Sequence, residues 1–100
     1  MKIINNKEIE ALNISASTCV DWVKSAFLIK DACQLPPKVS LHPQGTDFIN
    51  TMPCILPPEY HTYGCKIVSR IKGQCPSLNS ELIIYDTMTG KMIALLDADW

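Results

Sequence analysis

Two adjacent prolines, Pro36 and Pro37, divide this 100-residue chain into a helical part and an extended part. Neither offers a backbone N–H and each disfavours helical geometry in the residue before it, so no helix can run past Leu35. From Ser15 to about Ala32 the apolar residues Cys19, Val20, Val23, Ala26, Phe27 and Ile29 recur at steps of three and four, with Asp21, Lys24, Ser25 and Lys30 largely opposite. That period predicts an amphipathic helix capped by Ser15, with Trp22 as a packing residue. A short edge strand at Lys2-Ile3-Ile4 and a small helix from Lys7 to Leu12, capped by Asn6, come before it.

After the prolines the texture is extended, in segments Lys38 to Leu41, Asp47 to Cys54, Tyr63 to Arg70, Glu81 to Asp86 and Lys91 to Leu96. Glu81 to Tyr85 and Met92 to Leu96 flank a turn in which Gly90 can take positive φ without steric cost, which predicts a hairpin. With no repeat and no linker, the segments belong to one α+β unit, helices packed on a mainly antiparallel sheet. The strand after Lys91 gives way at Asp97-Ala98-Asp99-Trp100 to what reads as the start of another helix, so the domain over residues 1–100 is expected to be incomplete.

Composition narrows the function classes. A net charge of −1 with scattered Lys and Arg offers no basic patch for phosphates, so nucleic acid is not an expected partner. The first residues lack the apolar core of a signal peptide, and no apolar run approaches the ~20 residues of a membrane helix; a cytoplasmic protein without membrane contact is expected. Cys19, Cys33, Cys54, Cys65 and Cys75 form no C-x-x-C pair and have no zinc spacing to histidine, which reads as small, mostly buried thiols. His42 and His61 lie in loop-rich sequence and read as turn residues.

No local motif supplies a nucleophile with its base, and the four glycines Gly45, Gly64, Gly73 and Gly90 are isolated, so nucleotide phosphates have no cradle in these residues. Two lysines in extended segments remain. Alternation puts Lys66, Val68 and Arg70 on one face of their strand and Cys65, Ile67 and Ser69 on the other. Lys38 starts the first strand after the prolines. Were Lys38 and Lys66 to converge in a cleft they would hold an anion; otherwise they are lysines on a solvated sheet face.

Three blocks, in this order and spacing, resemble the ornithine cyclodeaminase and mu-crystallin family: Leu35-Pro36-Pro37-Lys38-Val39; Phe48-Ile49-Asn50-Thr51-Met52-Pro53; and the tail from Tyr63-Gly64-Cys65-Lys66-Ile67-Val68-Ser69 through Pro76 to Ser80, Leu82 to Asp86, Thr89-Gly90 and Ala94 to Asp97. The resemblance implies the amino-terminal substrate and dimerisation domain of a two-domain enzyme. It makes Lys38 and Lys66 the ligands of a substrate carboxylate, with Lys66 also near the reacting carbon as the catalytic residue, and Met52 a wall of the pocket. Asn50 stands where ornithine-specific members carry a glutamate; a neutral amide cannot offer a charge to a distal ammonium, so a different amino or imino acid fits this departure.

The resemblance further implies NAD(P), held by a Rossmann domain that these residues do not contain, so the chain alone is expected to bind no cofactor and to be inactive. With that domain the expected chemistry is amino-acid deamination and cyclisation, as a lyase, or imino-acid reduction, as an oxidoreductase. The expected partners are a small amino or imino acid and a second copy of the chain, paired as a homodimer through the sheet. The competing expectation is a stand-alone, non-catalytic binding or dimerisation module. A domain that normally packs against another should leave an apolar patch open; a self-contained module should have covered it.

Overall fold

The computed structural model describes residues 1–99. Strand β1 (Lys2–Ile4) leads into helix α1 (Asn6–Ala11) and helix α2 (Ala16–Ile29), which tightens into a 3-10 turn at Lys30–Ala32. Then come β2 (Val39–Leu41), β3 (Phe48–Ile55), a 3-10 turn at Pro58–Tyr60, β4 (Thr62–Arg70), β5 (Leu78–Asp86) and β6 (Lys91–Asp97). The strands form one six-stranded sheet in the order β1-β6-β5-β4-β3-β2. All neighbours are antiparallel except β1 and β6, which run parallel with Ile4 beside Leu96. This is the expected α+β fold with a mainly antiparallel sheet.

Local chemistry explains the element ends. Asn5 rather than Asn6 caps α1: its Oδ1 accepts from the Glu8 N–H at 3.0 Å while its own N–H donates to Glu8 Oε2 at 2.9 Å. The box needs the acidic residue three positions after the cap, and only Asn5 stands three before Glu8. Ser15 caps α2 as expected, its Oγ accepting from the Thr18 N–H at 3.1 Å. Pro53 is tolerated inside β3 because β2 pairs only with Ile49 to Thr51, so β3 is an edge where the proline falls. The β5–β6 hairpin turns at Gly90, whose φ of +71° and N–H bond to the Asp86 carbonyl close the loop. Asp97 belongs to β6, and neither Ala98 nor Asp99 is helical; Trp100 lies outside the described residues.

The sheet is well paired and poorly covered. Cys65, at 6% exposure, is the one buried hydrophobic side chain among the described residues. On α2, Phe27 is 68% and Leu28 87% exposed, and Trp22, expected to pack, is exposed as well. The reason is geometric: the only substantial tertiary neighbour of α2 among the described residues is the turn that continues it, so its apolar stripe faces open space. The total surface is 7556 Å², whereas a compact protein of 11.2 kDa exposes about 5,700 Å². The radius of gyration is likewise 15.1 Å where about 13 Å is usual for this length.

Candidate functional site

Register decides which side chains share a face, because residues opposite each other in neighbouring strands project to the same side. Lys66 on β4 pairs with Met52 on β3 and with Leu82 on β5; Leu82 pairs with Leu96 on β6, beside Ile4. Extending the β2 register by one residue sets Lys38, just ahead of that strand, opposite Met52. Lys38, Met52, Lys66, Leu82, Leu96 and Ile4 thus form one row across the sheet. Two strand spacings separate the lysines, roughly 10 Å between Cα atoms, with Met52 between them.

The neighbouring rows carry no acidic side chain: on one side lie Cys54, Gly64, Ile84 and Ala94, ending at Lys2 on β1, and on the other Ser40, Asn50, Val68 and Ser80. No strand residue in these three rows carries a carboxylate. Asp99, just beyond β6, is turned onto the backbone N–H of Ser80, from which its Oδ1 accepts. An exposed ammonium standing among apolar and neutral groups attracts an anion more strongly than one paired on a charged surface, since fewer counter-charges compete.

Beneath Lys66 lies a cavity of about 240 Å³ lined by Met52, Cys54, Leu56, Thr62, Gly64, Lys66, Leu82 and Ile84. It is hollow where Gly64 leaves the strand without a side chain between Cys54 and Ile84. Sequence reasoning assigned Gly64 no such role; the signal was a glycine inside an alternating strand, which marks close approach of a ligand or another chain. Leu82 and Ile84 were legible only as strand residues. Lys66 and Met52 come together in the cavity, whereas Lys38 and Asn50 share its face without lining it. Asn50 is half-buried with an Oδ1 that is fully buried and has no hydrogen-bond partner, an acceptor whose desolvation is uncompensated.

A second, larger cleft of about 400 Å³ opens between the end of α2 and β3, lined by Val23, Phe27, Cys33, Leu35, Cys54 and Leu56 among others. Cys54 and Leu56 belong to both cavities, so they form the partition between them. Burial, then the charge and hydrogen bond of the neighbouring Cys33 thiol, raise the Cys54 pKa above its ordinary 9.0. The cysteines are less buried than expected: Cys19, Cys33 and Cys54 are half-buried and Cys75 is exposed, because α2 and its turn do not cover the sheet. On the opposite face Tyr63 and Tyr85 meet edge to face at 5.8 Å.

The two histidines lie in turns. His61 closes the 3-10 turn before β4 with φ of +50°, and His42 Nδ1 lies 2.9 Å from the Asp47 carbonyl oxygen. Among the described residues no three His, Cys, Asp or Glu side chains gather as a metal site, and no helix is long and apolar enough to cross a membrane.

With this geometry in view, two solved structures are similar to the chain. A Δ1-pyrroline-2-carboxylate reductase of Thermococcus litoralis, in complex with NADH and L-proline, matches 97% of this chain with a TM-score of 0.82 at 23% identity, over 32% of its own length. An archaeal alanine dehydrogenase dimer with bound NAD matches 99% of this chain with a TM-score of 0.81 at 28% identity, over 31% of its own length. The chain therefore spans about a third of the length of either structure. No family model and no curated protein sequence matches it.

Proposed function

We propose that this chain is the amino-terminal substrate-binding and dimerisation part of an NAD(P)-dependent enzyme of the ornithine cyclodeaminase and mu-crystallin type, acting on a small amino or imino acid. The observation that carries this reading is the row Lys38-Met52-Lys66 on a partly apolar face whose adjoining strand rows hold no carboxylate, with a cavity under Lys66. At about 240 Å³ the cavity is smaller than the pockets of drug-sized ligands, which suits a compact amino or imino acid. Lys66 supplies a cation for the carboxylate, Lys38 a second one across Met52, and Leu82 and Ile84 an apolar floor for the carbon skeleton. The similar structures, solved with NADH and L-proline or with NAD, support the same substrate class.

The residues of this chain do not fit a dinucleotide. Gly45, Gly73 and Gly90 serve turns with positive φ, Gly64 lies within β4, and no glycine-rich strand-to-helix turn exists among the described residues. In this reading NAD(P) is held by further polypeptide, and the exposed stripe of α2 belongs to a domain that packs against more protein, not to a self-contained module. The amino-acid carboxylate and the homodimer partner remain this chain's share of the work.

The test is Lys66→Ala in the longest natural polypeptide containing these residues, assayed for NAD(P)-dependent turnover of imino acids such as Δ1-pyrroline-2-carboxylate and of amino acids such as L-alanine. Loss of one charge-assisted contact, worth about 2–3 kcal/mol, lowers kcat/KM roughly 100-fold with an unchanged unfolding transition. Unchanged kinetics would remove Lys66 from the site.

A further inference from the structure

Backbone geometry gives Gly64 no reason to be glycine. It lies inside β4, paired with Cys54 on β3 and with Ile84 on β5, and its φ is not among the positive values that Gly45, Gly73 and Gly90 adopt. Packing gives no reason either. Among the described residues, a methyl group on its Cα would meet only the Ile83 carbonyl oxygen at 3.9 Å and Leu82 Cδ1 at 4.0 Å, which are ordinary van der Waals separations. Inside a strand, glycine gives up a packing side chain and loses more chain entropy than alanine on folding. A glycine kept where alanine would fit marks a place that something other than this chain's own side chains occupies.

The space it leaves belongs to the cavity under Lys66. Residues 64 and 66 project to the same face of β4, and Leu82, which the added methyl would touch, lines that cavity. Met52, Cys54, Leu56 and Ile84 complete the wall around it, and no lining residue carries a carboxylate. We propose that Gly64 sets the size limit of the substrate: with the carboxylate at Lys66, the uncharged ring or side-chain carbons of the amino or imino acid take the space that a larger residue at position 64 would fill. The inference rests on the substrate reading given above and adds to it a specificity-determining position and a narrower substrate class, acids whose far end carries no charge. A second ammonium on the substrate would be desolvated against Leu82 and Ile84 without a counter-charge.

The experiment measures kcat/KM in the longest natural polypeptide containing these residues, for pairs of substrates that differ by one methylene: Δ1-pyrroline-2-carboxylate and its six-membered-ring homologue with NAD(P)H, and L-alanine and L-2-aminobutyrate with NAD(P). Gly64→Ala should shift the ratio within a pair about tenfold or more toward the smaller member, the discrimination that one methylene gives in a filled apolar pocket. Its melting temperature should be no lower than that of the wild type. Lys66→Ala should lower both members of a pair together and leave their ratio in place. A ratio unmoved by Gly64→Ala, with both members still impaired by Lys66→Ala, overturns the role of Gly64 and leaves the carboxylate site standing. A lowered melting temperature for Gly64→Ala shows that protein fills the space, and likewise overturns it. Turnover of neither pair, or wild-type kinetics in Lys66→Ala, removes the substrate reading and this inference with it.

Discussion

Strand β4 and helix α2 are both stripes of apolar residues with polar residues between them, yet they end in opposite surroundings. Every residue of β4 is paired with β5, and from Ile55 to Phe48 strand β3 pairs along its other side; α2 has little but its own continuation for a neighbour. A strand completes its hydrogen bonds only by recruiting other strands, so a sheet assembles its own surroundings. A helix satisfies its backbone internally and can stand with its apolar face open. The difference shows where this fold is self-sufficient and where it is not.

The sharpest way to break the comparison is to cut into the sheet. Ile83 is paired with Cys65, the buried centre of one face, and Ile83→Ala should cost about 3 kcal/mol in urea unfolding. A loss as small as that of an exposed α2 residue would mean that the sheet is no better anchored than the helix. Hydrogen exchange asks the same question without substitution: β4 amides should be protected roughly 100-fold more than α2 amides, a gap of about 2–3 kcal/mol in opening free energy. Equal protection would make α2 part of the same cooperative unit.

Smaller effects refine the picture. Ser15→Ala removes the α2 cap and should cost the helix about 1 kcal/mol, read as lost ellipticity at 222 nm while the melting of the sheet stays in place. A shift of the sheet transition by the same amount would show the two to be coupled. Smallest of all, Phe27→Ala should change the stability of this chain by less than about 0.5 kcal/mol, since its ring is mostly in solvent. In a longer polypeptide that covers α2, the same substitution should cost about 3 kcal/mol; equal values in both would mean that nothing packs there.

How much of this was legible in the sequence follows the range of the forces. Strand positions were readable to within a residue or two, except that β5 begins at Leu78 and not Glu81, because alternation and turn residues are local. The break at Pro36-Pro37 and the Ser15 cap were readable for the same reason. The α1 cap was misplaced by one, since two consecutive asparagines offer the same side chain and only the distance to Glu8 decides between them. Alternation showed which face of β4 carries Lys66, but not that Lys38 shares its row, which needs two successive registers between strands far apart in the chain. Burial was the least legible: the periodicity of α2 is real, but a pattern states which face seeks cover, not whether cover is there.

The position of Lys66 in the middle of the sheet has a consequence for ligand linkage. An anion held on an edge strand would steady that edge alone, because edges open without the rest. Lys66 stands on β4, with β3 and β5 paired on either side of it, so releasing a ligand by unfolding requires the central ladder to come apart. If Lys66 holds a ligand as proposed, then by mass action that ligand at a hundred times its Kd would add about 2.7 kcal/mol to the global unfolding free energy, and melting temperature would gauge occupancy at a place that no strand end can open by fraying.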